Sequence, residues 1–110
     1  CTGCHQGVNV GGNLYQRFGT MAPYFSPNAT SKADLGRFNV TGRETDKHFF
    51  KVPSLRNVAL TAPYFHNAAA ATLEEAVRVM GLYQLGLELP AQDVDLIVKF
   101  LGTLNSEMAP

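Results

Sequence analysis

Five residues at one end of the chain could do distinctive chemistry: Cys1-Thr2-Gly3-Cys4-His5. The pattern C-x-x-C-H is the attachment sequence of a c-type haem. Two thiols at this spacing add across the two vinyl groups of one porphyrin edge, and the adjacent histidine sits beneath the iron as its proximal ligand. The cysteine count agrees, because the 110-residue chain has two cysteines and this arrangement consumes both. Other uses of the same residues fit less well. A thioredoxin-like redox pair belongs in a βαβ pattern, which the flanking sequence does not carry. Half of a zinc site needs a second ligand pair, yet His48 and His66 lie far off and isolated. A disulfide between Cys1 and Cys4 would close a small, poorly suited ring.

A sixth iron ligand must be sought among Met21, Met80, Met108, His48 and His66. Met21 falls in a loop close to the attachment site. Met108 is two residues from the end of the chain, where termini fray. Met80 falls at the end of a predicted helix, before a glycine that would let it approach the iron. The competing role for Met80 is core filler, the usual fate of a methionine at helical spacing. His48 and His66 would each serve equally as surface or hydrogen-bonded histidines.

The elements that must position these groups are few. A chain of this length makes one domain at most. It is 45% hydrophobic, and a domain this small gains from a prosthetic group at the centre of its core. Nine basic residues balance nine acidic ones, with no basic stripe of the kind nucleic acid selects. No apolar run approaches the ~20 residues of a membrane helix, and no stretch of these residues is expected to be a signal peptide. The chain opens on a haem cysteine rather than on Met, which is expected of part of a longer protein lacking its preceding helix. Haem attachment to such sites takes place outside the cytoplasm, so the expected compartment is the bacterial periplasm.

Glycines and prolines punctuate residues 6–31, with a short helical turn expected near Asn13–Phe18. Val8, Val10, Leu14, Tyr15 and Phe18 are expected to pack against haem. Lys32 to Gly42 reads as irregular. Residues 51–53 should be extended, because the residue before proline disfavours helix. A short helix capped by Ser54 should follow and end at Pro63. Thr72-Leu73-Glu74-Glu75 is a capping box, and its helix is expected to stop at Gly81, with Leu73, Ala76, Val77 and Met80 facing inward. A last helix should begin after Pro90, with Asp93 complementing its dipole. Val94, Ile97, Val98, Leu101 and Leu104 would form its buried face. No β-alternation persists anywhere.

The chain resembles the C-terminal domain of the bacterial di-haem cytochrome c peroxidases. The resemblance rests on Cys1-x-x-Cys4-His5, on Gly7-Val8-Asn9-Val10-Gly11-Gly12, on Asp34-Leu35-Gly36-Arg37, and above all on the run from Phe50 to His66. It continues through Leu73-Glu74-Glu75-Ala76-Val77 and Met80 to the last helix. One departure is Asn67-Ala68, where the family often has an acidic residue and a glycine. The fold implied is an all-α, cytochrome c-like domain over residues 1–110, with few short helices and long loops around one covalent haem. That domain would be the C-terminal part of a longer chain whose second haem sits in an absent peroxidatic domain.

The resemblance also implies roles. His5 and Met80 match the axial ligands of the high-potential haem, a ligand pair that raises the potential as electron acceptance requires. Electrons would come from a small periplasmic donor, a cytochrome c or a cupredoxin, and pass to the second haem, where hydrogen peroxide is reduced to water. No catalytic residue is expected within this chain, which alone should be a poor peroxidase. Thr61 and Pro63 match main-chain ligands of a calcium ion between the domains, a hard cation that takes oxygen ligands. His66, Arg56 and Lys51 are candidates for haem propionates. Relatives are commonly homodimers. The related maturation enzymes carry Tyr where this chain has Met80, which favours the peroxidase branch without excluding other di-haem oxidases. A stand-alone mono-haem electron carrier is the other reading, and a second C-x-x-C-H upstream would separate the two.

Overall fold

The computed structural model describes residues 1–26 and 31–107. Met108 lies outside the described residues. Two long helices, two short strands and a set of loops make the domain. Strand β1 (Tyr15–Arg17), helix α1 (Phe38–Thr41), strand β2 (Phe49–Lys51), helix α2 (Leu73–Leu85) and helix α3 (Ala91–Gly102) follow in chain order. Single 3-10 turns occupy Lys32–Asp34, Glu44–Asp46 and Val58–Leu60.

The capping box forms as its residue types dictate. Thr72 Oγ1 accepts from the Glu75 N–H at 3.2 Å, and Glu75 Oε2 accepts from the Thr72 N–H at 3.3 Å. Two of the donors that a helix start leaves unpaired are thereby satisfied. Thr72→Ala should lower stability by about 1 kcal/mol in chemical denaturation; an unchanged midpoint would mean that the cap contributes nothing. Helix α3 starts directly after Pro90, as the sequence indicates. It lays Val94 and Leu101 against Val77 of α2, with Ile97, Val98 and Leu104 beside them. Val94 is the deepest of these, 1% exposed. A second small cluster joins Tyr64, Ala70 and Ala76.

Several expectations are corrected. Helix α2 does not stop at Gly81 but runs to Leu85, with Gly86 as its C-cap. Gly81 lies inside the helix and is buried, because a Cβ there would come within 2.7 Å of Leu89 Cδ1. Its missing side chain makes room for Leu89 rather than ending the helix. The segment near Asn13–Phe18 is not helical: β1 pairs antiparallel with β2, Tyr15 opposite Lys51 and Arg17 opposite Phe49. Strands of three residues are too short to show alternation in sequence. The stretch Lys32 to Gly42 is more ordered than expected, containing a 3-10 turn and α1. Ser54 caps no helix; it braces a turn, and the helical residues come later, at Val58–Leu60. The all-α description holds for the architecture as a whole, with this one small ribbon added.

Candidate haem site

The first turn of the chain sets the site. The Cys4 and His5 N–H groups both donate to the Cys1 carbonyl, at 3.1 and 2.8 Å, so the backbone doubles back and His5 follows directly from the cysteine turn. Both thiols are free, Cys1 exposed and Cys4 half-buried. His5 Nδ1 lies 3.2 Å from the Pro53 carbonyl oxygen. A carbonyl can only accept, so Nδ1 carries the proton and Nε2 is left as the lone-pair nitrogen. This is the arrangement by which an outer carbonyl fixes the tautomer and ring orientation of a metal-ligating histidine. Burial lowers the His5 pKa below the ordinary histidine value, against the opposing pull of the Pro53 hydrogen bond. The neutral, ligating form is thereby favoured at neutral pH.

Pro53 is held in place by a zipper between two distant segments. The Gly12 N–H donates to the Val52 carbonyl (2.8 Å), the Val52 N–H to Leu14 (2.9 Å) and the Leu55 N–H to Val10 (3.1 Å). Ser54 Oγ donates to the Asn9 carbonyl at 2.6 Å. Arg56 donates through Nε and Nη2 to the Val8 carbonyl, at 3.1 and 2.7 Å. Residues 52–56 therefore grip residues 8–14 almost residue by residue. At the tightest point Gly11 is buried at φ +132°, and a Cβ there would fall 2.0 Å from the Pro53 oxygen and 3.2 Å from His5 Nδ1. Val10, beside it, sits at φ 49°, a conformation that a β-branched residue adopts only under constraint. Its constraint is visible in the bonds from Val10 N–H to Gly7 and from Leu55 N–H to Val10.

These residues fit a covalent haem. The donor set of two thiols and an imidazole matches the group chemically. The imidazole is already oriented by its second nitrogen, and the close approach at Gly11 exists to bring Pro53 onto it.

The remaining sequence candidates are placed as follows. Met80 is half-buried in α2 and belongs to neither buried cluster. Met21 is exposed, in the loop after β1. His48 Nδ1 contacts the Asp34 carbonyl at 2.8 Å, and its ring stacks on Phe25. His66 Nε2 meets Asp34 Oδ1 at 2.7 Å over the ring of Phe50, 4.5 Å between centroids. The two histidines thus converge on one aspartate. Arg56 spends two of its donors on Val8, and Lys51 is exposed on β2. Val8, expected against haem, is 81% exposed, and Tyr15 is also exposed. The Thr61 hydroxyl donates to the Val58 carbonyl at 3.1 Å. Among the described residues no protein donor reaches the carbonyls of Thr61 or Pro63.

Two features escaped the sequence reading. One is an aromatic cluster in which Phe18 touches Tyr24, Phe25, Phe50 and Phe65, and Tyr24 also touches Tyr83. Its signal was available in the aromatic pairs Tyr24-Phe25, Phe49-Phe50 and Tyr64-Phe65. Burial, reinforced by the charges of Tyr83 and Asp34, pushes the Tyr24 pKa up, so that hydroxyl stays protonated. The other is Gln84, considered below.

The chain is 49% identical over 107 residues to the cytochrome c551 peroxidase of Nitrosomonas europaea, a match that takes in 97% of this chain. Nearly the whole chain is thus homologous to part of the cytochrome c peroxidases. A cytochrome c peroxidase of Escherichia coli is 49% identical over all 110 residues, and the cytochrome c551 peroxidase of Pseudomonas aeruginosa 44% over 109. The chain spans 31%, 23% and 31% of the lengths of these three relatives. A solved MauG-like protein associated with microbial copper homeostasis superposes with a TM-score of 0.77 at 27% identity, over 97% of this chain and 40% of that one. No protein-family model matches. Among the described residues no helix is long and apolar enough to cross a membrane.

Proposed function

We propose that this peroxidase domain is the electron-accepting half of a di-haem enzyme, with Cys1 and Cys4 bonded to haem and His5 and Met80 as its axial ligands. The observation that carries the reading is the His5 Nδ1 contact with Pro53, which presents Nε2 of a neutral imidazole from the turn that bears both thiols. Haem, when bound, supplies a one-electron redox couple whose potential a His/Met pair places high. The chain's part is positional. Cys1 and Cys4 would tether the porphyrin edge, Pro53 orients His5, and the 8–14 and 52–56 zipper holds Pro53 in place. With Met80 also holding the iron, peroxide would find no open site in this domain, and its reduction to water would fall to a second haem elsewhere in the protein.

The finer roles follow the same reading. The Thr61 and Pro63 carbonyls are offered to calcium at the junction with the second domain, and the Thr61 hydroxyl is engaged elsewhere. A small periplasmic cytochrome c or cupredoxin supplies electrons, and the protein works as a homodimer. Met80, rather than a tyrosine, at the sixth position and the 44–49% identity to peroxidases both favour peroxidase over maturation-enzyme chemistry.

An intact mass and an optical spectrum test the reading. The expected result is a mass raised by one haem, a low-spin spectrum, ready reduction by ascorbate and the weak long-wavelength band of Met–Fe(III). A haem-loaded but high-spin protein would overturn the assignment of Met80 and make this domain itself a peroxide site.

A further inference from the structure

We propose that Gln84 is a positioning residue that holds Met80 toward the iron by clamping the Arg17–Met21 loop onto the last turn of α2. The inference rests on the reading of Met80 as the sixth ligand. Gln84 uses both ends of its amide. Oε1 accepts from the Gly19 N–H, with the Thr20 N–H at 3.4 Å, and Nε2 donates to the Arg17 carbonyl at 2.9 Å. The backbone adds to the clamp: Thr20 Oγ1 donates to the Gln84 carbonyl at 3.0 Å, and the Met21 N–H to the Tyr83 carbonyl at 2.9 Å. Tyr83 and Gln84 lie in the last turn of a helix ending at Leu85, where carbonyls have no partner within the helix. The loop therefore caps α2. A glutamine on the surface ordinarily leaves its amide to water; this one reaches across 65 residues of sequence to do otherwise.

Met80 stands one turn before Gln84, and residues four apart share a helix face. Methionine is flexible, with three rotatable bonds, and does not fix its own sulfur. The position of Sδ then depends on how firmly the helix tip is held. The ring of Tyr83, packed on Tyr24 at 5.1 Å, sits on the same turn. The far end of the clamp is β1, which is paired with β2, and β2 leads within two residues to Pro53 and so to His5. Hydrogen bonds, with two residues of backbone after β2, thus join the helix that bears Met80 to the carbonyl that orients His5. If the tip of α2 lifts from the loop, the two axial ligands lose their common frame.

The test uses the haem-loaded protein and reads displacement of Met80 by added imidazole, the midpoint potential, and hydrogen exchange at the Gly19 amide. Gln84→Leu removes the polar contacts and keeps comparable bulk. Loss of two to three net hydrogen bonds should tighten apparent imidazole binding by roughly tenfold to a hundredfold. The potential should fall and Gly19 exchange should accelerate. Gln84→Glu keeps the acceptor for Gly19 but not the donor to Arg17, so it should fall between Gln84→Leu and the parent; it carries the same comparison if Gln84→Leu does not take up haem. Thr72→Ala loosens the other end of α2 and should leave imidazole affinity and potential unchanged. The inference is overturned if Gly19 exchange accelerates while both stay at parental values, or if Thr72→Ala shifts them as far as Gln84→Leu. A parent protein without the Met–Fe(III) band would instead overturn the reading of Met80, and this inference with it.

Discussion

Replacing Met80 with alanine should abolish the long-wavelength band of the oxidised protein and lower its midpoint potential by roughly 0.1 V or more, within the ~0.8 V range that axial ligands span. A thioether is a soft, neutral donor that stabilises reduced iron relative to oxidised iron, which is why a His/Met pair sits high. Alanine cannot reach the metal, so the sixth position opens to water and background reactivity toward peroxide should rise. Structural damage should be limited, since Met80 is half-buried and lies outside both buried clusters of α2. The checks are an optical spectrum of the oxidised variant and a potentiometric titration. An unchanged spectrum would mean that Met80 is core filler and that another side chain, or none, binds the iron.

Gly11→Ala should be the most damaging single change to the fold around the site, costing more than about 3 kcal/mol. Two independent faults add. The backbone at φ +132° is one that side chains rarely adopt, and the new Cβ would lie 2.0 Å from the Pro53 oxygen and 2.8 Å from its carbon. Backbone on both sides of the contact leaves nothing soft to give way. Relief requires parting residues 8–14 from 52–56, which withdraws the Pro53 carbonyl from His5. Stability in denaturant should collapse, and the haem that remains should show a disturbed proximal histidine. Gly3→Ala is the comparison, because nothing lies within 4 Å of a Cβ there; it should be tolerated although it falls between the two haem cysteines. If Gly11→Ala costs no more than Gly3→Ala, the zipper does not hold His5.

Local signals in the sequence were read correctly where the physics was local. The Thr72–Glu75 box and the start of α3 after Pro90 depend on residues within one turn of each other, and both formed. The buried face of α3 follows from its period alone. Signals that depend on distant partners were misread. Gly81 has the composition of a helix stop, but the space its missing Cβ leaves is used by Leu89. Ser54 has the composition of an N-cap, but its hydroxyl goes to Asn9, 45 positions away.

The two thiols and the imidazole that carry the proposed haem chemistry are legible in the sequence, because they fall within five consecutive residues and need no folding to bring them together. The Val52–His66 run carries the resemblance to the cytochrome c peroxidases, which the relatives at 44–49% identity bear out. The Pro53 contact that orients His5, the room made at Gly11 and the tie from Gln84 to the loop after β1 are visible in the folded chain alone. Each of those contacts ends on a backbone group. Every residue carries the same carbonyl, and all but proline the same N–H, so the choice of partner leaves no mark on residue type and appears only when the chain has brought the two segments together.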